Sequence, residues 1–106
     1  MSGDYFSDVS TVTVIGLAAV LSYTGYDLVR IVSGEGNRLD FQFIIPEKEL
    51  RSLHCDFIAG TCALTDAQGF CKAYAMLLRK MKHARIEGTW EDHDLIKLAE
   101  AQGATI

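Results

Sequence analysis

The sequence predicts an α+β domain: a small antiparallel sheet built around one β-hairpin, with helices packed on one face. Three observations carry that expectation. Two β-rich runs, Tyr26 to Ser33 and Arg38 to Ile45, flank the loop Gly34-Glu35-Gly36-Asn37, the spacing of a hairpin. Four other segments repeat their apolar residues at helical spacing. Finally, the 106 residues are 49% hydrophobic and 23% charged with one proline, the profile of a folded domain and not of a disordered or repetitive chain.

At the N-terminus, Tyr5-Phe6 reads as a short edge strand or an apolar staple. Ser7 or Ser10 caps a helix running to about Tyr23, with Val12, Ile15 and Ala19 on one stripe and Leu21 beside it. Gly25 stops it. The valines and threonines here are a competing strand signal, outweighed by the length of the run and the Gly25 stop. In the hairpin, Leu39, Phe41, Phe43 and Ile45 alternate with Asp40, Gln42 and Ile44, which marks one face as the core face. Val29 and Ile31 oppose Leu28 and Val32, so the first strand is expected to be partly buried on both sides.

Pro46 then starts a helix, with Glu47 and Glu49 at its positive end, Leu50, Leu53 and Phe57 on its apolar face and a stop near Gly60. Thr65-Asp66-Ala67-Gln68 reads as a capping box with Thr65 as N-cap. The helix it opens carries Phe70, Tyr74, Leu77 and Met81 on one stripe, widened by Cys71 and Leu78. A second box, Thr89-Trp90-Glu91-Asp92, opens a C-terminal helix with Leu95, Leu98 and Ala99, ended by Gly103. No repeat or linker interrupts the chain, so residues 1–106 are expected to form a single domain.

Charge and motif content narrow the function classes. A net charge of -4 and a pI near 5.2 give the whole chain no attraction to nucleic acid or anionic membrane. The longest apolar stretch, Val12 to Leu21, is half of the roughly 20 residues a bilayer span needs. The start lacks a positive signal region, and three cysteines without a CxxC pair fit a reduced, cytoplasmic protein. His54, Cys55, Cys62, Cys71, His83 and His93 are metal-ligand types whose spacings fit no zinc pattern, so neither metal nor cofactor is expected. Cys71, among Phe70, Tyr74 and Leu77, reads as a small core hydrophobe.

Asp92-His93-Asp94 looks reactive, but acids favour a helix N-terminus and helix neighbours do not face each other. With no thiol placed beside a base, and no Gly-Lys-Ser/Thr after the glycine loop, no catalytic residue is assigned and the protein is expected to be no enzyme. The gap from Gly60 to Thr65 exceeds a helix-turn-helix turn.

Two surfaces remain. Residues 79–85 hold four of the ten basic residues and no acid; Arg79, Lys80, Lys82 and Arg85 are the candidate contacts to phosphate or nucleic acid. The plainer account is dipole stabilisation at a helix C-terminus, neutralised by the acidic stretch from Glu87 to Glu100, and the absence of interleaved aromatics favours it. Second, a regular hairpin places Val29, Ile31 and Ile44 opposite Leu39, Phe41 and Phe43, as an apolar face for a homodimer. The competing account folds the N-terminal segment or the C-terminal helix over that face. The expected function is a self-associating, non-enzymatic interaction module; the alternative is a weak nucleic-acid-binding or regulatory protein.

Leu39-Asp40-Phe41-Gln42-Phe43 and the segment Ala63 to Ala73, with its Asp66-Ala67-Gln68-Gly69-Phe70, are similar to a small domain family found in bacterial and phage genomes. There a helix, a hairpin ending in an F-x-F strand and a helix begun by D-A-x-x-F follow in the same order. The resemblance spans Tyr5 to Lys82, rests on core-packing motifs and implies no activity. It implies a phage-related or mobile-element origin.

Overall fold

The computed structural model describes residues 8–36, 38–60 and 66–103. Its elements are β1 (Val9–Val12), α1 (Ile15–Thr24), β2 (Leu28–Ser33), β3 (Leu39–Ile44), α2 (Glu47–Ala59), α3 (Ala67–Glu87), β4 (Thr89–Glu91) and α4 (His93–Ala101). The strands form one sheet in the order β1-β3-β2-β4, every neighbouring pair antiparallel. The α+β class and the sheet built around the hairpin are as the sequence predicts. To the helices on one face the structure adds α4 on the other.

The strand signal at the N-terminus wins where the helix was expected to start. Val9–Val12 pairs with β3, and α1 begins only at Ile15, with Val14 as an N-cap that has no side-chain hydrogen bond. A helix with Leu17, Ala18, Ala19, Val20 and Leu21 all buried draws its stability from packing, not from its cap. Its end is as expected: Gly25 takes a left-handed φ of 102°, which a side chain rarely tolerates. Tyr5-Phe6, Cys62 and Thr65 lie outside the described residues. The cap of α3 is Asp66, whose side chain accepts from the Gly69 amide at 3.1 Å.

The second expected capping box is instead a strand. Thr89, Trp90 and Glu91 pair with Val32, Ile31 and Arg30, and Asp92 takes over as the N-cap of α4, accepting from the Leu95 amide at 3.1 Å. Strand pairing satisfies backbone groups that a cap at Thr89 would have left to α4 alone.

The main core lies between the inner sheet face and α1, α2 and α3. Phe41, Phe43, Ile31, Ile45, Leu21 and Leu77 are its largest fully buried side chains, and Phe70 and Tyr74 pack against it. The grouping of Phe41, Phe43, Phe70, Tyr74 and Leu77 is therefore as the sequence predicts. α2 rests at the margin through Leu50, Leu53 and Phe57, with no fully buried residue of its own. Its Phe57 ring covers Gly16 so closely that a Cβ there would stand 2.8 Å from Cζ.

The hairpin is irregular at one place. Leu28 pairs with Phe43 and Arg30 with Gln42, leaving Val29 as an extra residue. Such a bulge turns two consecutive side chains to one face. Ile31 accordingly joins Phe41 in the main core, while Val29 lies on the other side with Ile44 and Ala99. Val9, Leu95 and Ile96 pack around that second cluster. This corrects the expected shared face of Val29, Ile31 and Ile44, which assumed unbroken alternation.

Candidate functional site

The three residues expected to form a self-association face are inside the protomer. Val29 and Ile31 are 0% exposed and Ile44 is 6% exposed. Helix α4 folds over Val29 and Ile44, while Ile31 is covered on the other side by the main core. The Asp92 amide donates to the Val29 carbonyl at 2.9 Å, which fixes where α4 starts across the sheet. Beyond α4 the same face is polar: Arg30 pairs with Glu91 at 2.8 Å, and Arg38 lies 3.1 Å from Asp40.

The four basic candidates all lie on α3, but the helix does not gather them. At about 100° per residue, Lys80 and Arg85 are some 140° apart around the axis. Lys80 is half-buried, its ammonium 4.7 Å from the centre of the Trp90 ring, a cation–π contact. Arg85 stands on the opposite flank, beside Leu39, Phe41 and Met81. Arg79 and Lys82 point outward together, about 60° apart. Of the acidic C-terminal segment, Glu91 faces Arg30 and Asp92 caps α4.

What shares the outer surface of α3 with Arg79 and Lys82 was not singled out in the sequence. Lys72 precedes Arg79 by seven residues, hence within about 20° of it around the helix. Lys72, Ala75, Arg79, Lys82 and Ile86 form one outward line about 21 Å long. Met76 and Leu78 flank it. The three large apolar residues are strongly exposed: Met76 53%, Leu78 45% and Ile86 71%. Lys72, Arg79 and Lys82 form no ion pair among the described residues.

Cys71 and Leu78 were expected to widen the core stripe; both are exposed. The buried sector of α3 is centred on Leu77, Met81 and Ala84 and extends toward Ala73 instead, because Trp90 and the sheet lie on that side. The signal that marks the outer line is the seven-residue spacing of Lys72 and Arg79, which a search for dense basic runs passes over.

Among the described residues no three of His, Cys, Asp and Glu form a metal-binding group. Cys55 is an exposed free thiol, as is Cys71. No described helix is long and apolar enough to cross a membrane. A cleft of about 190 Å³ opens between α1 and α3, lined by Asp27, Asp92 and Lys80 among others. Its charges are of both signs: Lys80 lies over Trp90 and Asp92 caps α4. The Tyr26 hydroxyl donates to Glu49 at 2.9 Å, and this bond, burial and the nearby carboxylate all raise its pKa above 10.0.

No family model, curated protein or solved structure matches this chain.

Proposed function

We propose that this protein is a non-enzymatic interaction module whose working surface is the outer face of α3. The observation that supports the reading is the set of three cations, Lys72, Arg79 and Lys82, which form no ion pair among the described residues and stand beside exposed Met76, Leu78 and Ile86. Helix α3 has five basic residues against one acid, Glu87, on a chain whose net charge is -4. Exposed apolar side chains at this density are a feature of surfaces that meet another molecule.

The net charge supplies the test. A protein of net charge -4 should pass unretained through a polyglutamate matrix unless one face is locally cationic. Retention of the wild-type chain at about 20 mM salt, lost in the double variant Arg79→Glu/Lys82→Glu, is the expected result. A wild-type chain that flows through, or a double variant retained equally, would remove the basis for the reading.

A further inference from the structure

We infer that the outer face of α3 docks an acidic amphipathic helix from a partner protein, packed lengthwise along the line from Lys72 to Ile86. The inference rests on the interaction reading above and deepens it by naming the partner's chemistry.

Spacing comes first. Lys72, Ala75, Arg79, Lys82 and Ile86 follow one another at intervals of three, four, three and four residues. That interval keeps side chains facing one straight partner over several turns, as in helix pairs crossing at a shallow angle. Ala75 leaves room for close approach near the start of the line, and the 21-residue α3 is long enough to present the whole of it.

Charge then excludes several occupants. A second α3 related by a two-fold axis would set Arg79 and Lys82 against their own copies, and like charges in direct opposition repel. The chain's other exposed helices do not complement the line. α4 has only nine residues, and Lys97 interrupts its acids. α2 carries Lys48 and Arg51 among its acids, and Arg51 is paired with Glu47 at 2.7 Å. The complement is an uninterrupted row of carboxylates, which this chain does not contain on a described helix.

The apolar residues decide between a protein and a nucleic acid. Phosphates would satisfy the cations but leave Met76, Leu78 and Ile86 in water or against a charged backbone. An amphipathic helix covers both sets: its acids meet Lys72, Arg79 and Lys82, and its apolar side chains meet Met76, Leu78 and Ile86. Exposed ion pairs contribute little each, so the cations set orientation and salt dependence while the apolar flanks supply most of the affinity.

The test uses the full chain and two labelled synthetic helical peptides of about 20 residues. In the first, glutamates fall at alternating three- and four-residue intervals with leucines flanking them. The second has the same composition, shuffled so that the row is lost. A DNA duplex of matched charge is the third probe. By fluorescence anisotropy, the striped peptide should bind at least roughly tenfold more tightly than either other probe. Arg79→Glu/Lys82→Glu should weaken it by roughly tenfold or more, whereas Arg79→Lys keeps most of the binding. Ile86→Ser should lower affinity without changing the salt dependence. The variants sit on the exposed face of α3, and their unchanged circular dichroism would exclude misfolding. Equal binding of the shuffled peptide, tighter binding of the duplex or no binding of the striped peptide overturns the inference. If the polyglutamate matrix still retains the protein in that case, only the partner chemistry is wrong. If it does not, the interaction reading falls as well.

Discussion

Replacing Gly16 by alanine should destabilise the protein, although glycine inside a helix is ordinarily the weaker residue. Alanine at an interior helical position gains about 0.5–1 kcal/mol over glycine. Here the new methyl would stand 2.8 Å from Phe57 Cζ and 3.2 Å from Cε1, inside the contact distance of two carbons. The ring has to move, and overpacking of this kind costs about 1–3 kcal/mol. The net effect should be a loss of about 1 kcal/mol. Phe57→Ala alone should cost about 1–2 kcal/mol, below the usual range for a fully buried phenylalanine because the side chain is only partly buried. With the ring gone, Gly16→Ala meets nothing and should stabilise by about 0.5–1 kcal/mol. The sign of one substitution thus reverses between two backgrounds, a coupling of about 2 kcal/mol. Urea unfolding of the four proteins, followed by circular dichroism, measures all the terms. If Gly16→Ala has the same sign and size with and without Phe57, α2 does not dock on the start of α1 as described.

The orientation of α3 is tested by neighbours: Leu77→Ala should cost about 2–5 kcal/mol, whereas exposed Leu78→Ser should stay within about 0.5 kcal/mol of wild type by the same unfolding assay. Equal costs would mean that the helix is rotated and that the outer line is not outer. A chain ended after Asp92 loses α4 and should expose Val29 and Ile44, so that it binds an apolar dye and gains mass in light scattering. A dye-silent monomer would show that α4 is not their cover. Tyr26 has a folded pKa raised above 10.0 by its hydrogen bond to Glu49, so the stability it lends is complete below pH 10 and falls as pH rises through the raised value. The tyrosinate absorbance lost on Tyr26→Phe should therefore titrate with a midpoint above 10.0; a midpoint below it would refute the bond.

Much of this fold is legible in the sequence because alternation and helix stops are local signals. Leu39, Phe41 and Phe43 announce a strand with one core face, and Gly25 and Gly60 end α1 and α2 with positive φ as expected. The misread elements share a cause: they depend on partners distant in the chain. Val9–Val12 is a strand because β3 offers it an edge, and Thr89–Glu91 because β2 does. Neither edge is visible within a window of ten residues. The face of Ile31 was misplaced because a single extra residue, invisible to composition, reverses the pattern. Of the candidate surface, Arg79 and Lys82 were found as part of a basic run. Met76, Leu78 and Ile86 were not, since an apolar residue on a helix is presumed to be core until its azimuth is known.

The bulge at Val29 also bears on how reliably the hairpin reaches its register. A regular two-stranded ribbon can slide by two residues and present the same faces, so little distinguishes the right pairing from the shifted one. β2 has no such freedom. Its outward doublet, Val29 and Arg30, has two separate receivers, both beyond the hairpin in sequence: Ala99 on α4 for the valine and Glu91 on β4 for the arginine. A slide by two would move Ile44 on β3 about 7 Å along the ribbon from Val29 and split the pair that Ala99 covers. The seating of α4 across Val29 and Ile44 together thus favours the register in which both strands bring their apolar side chains to one place.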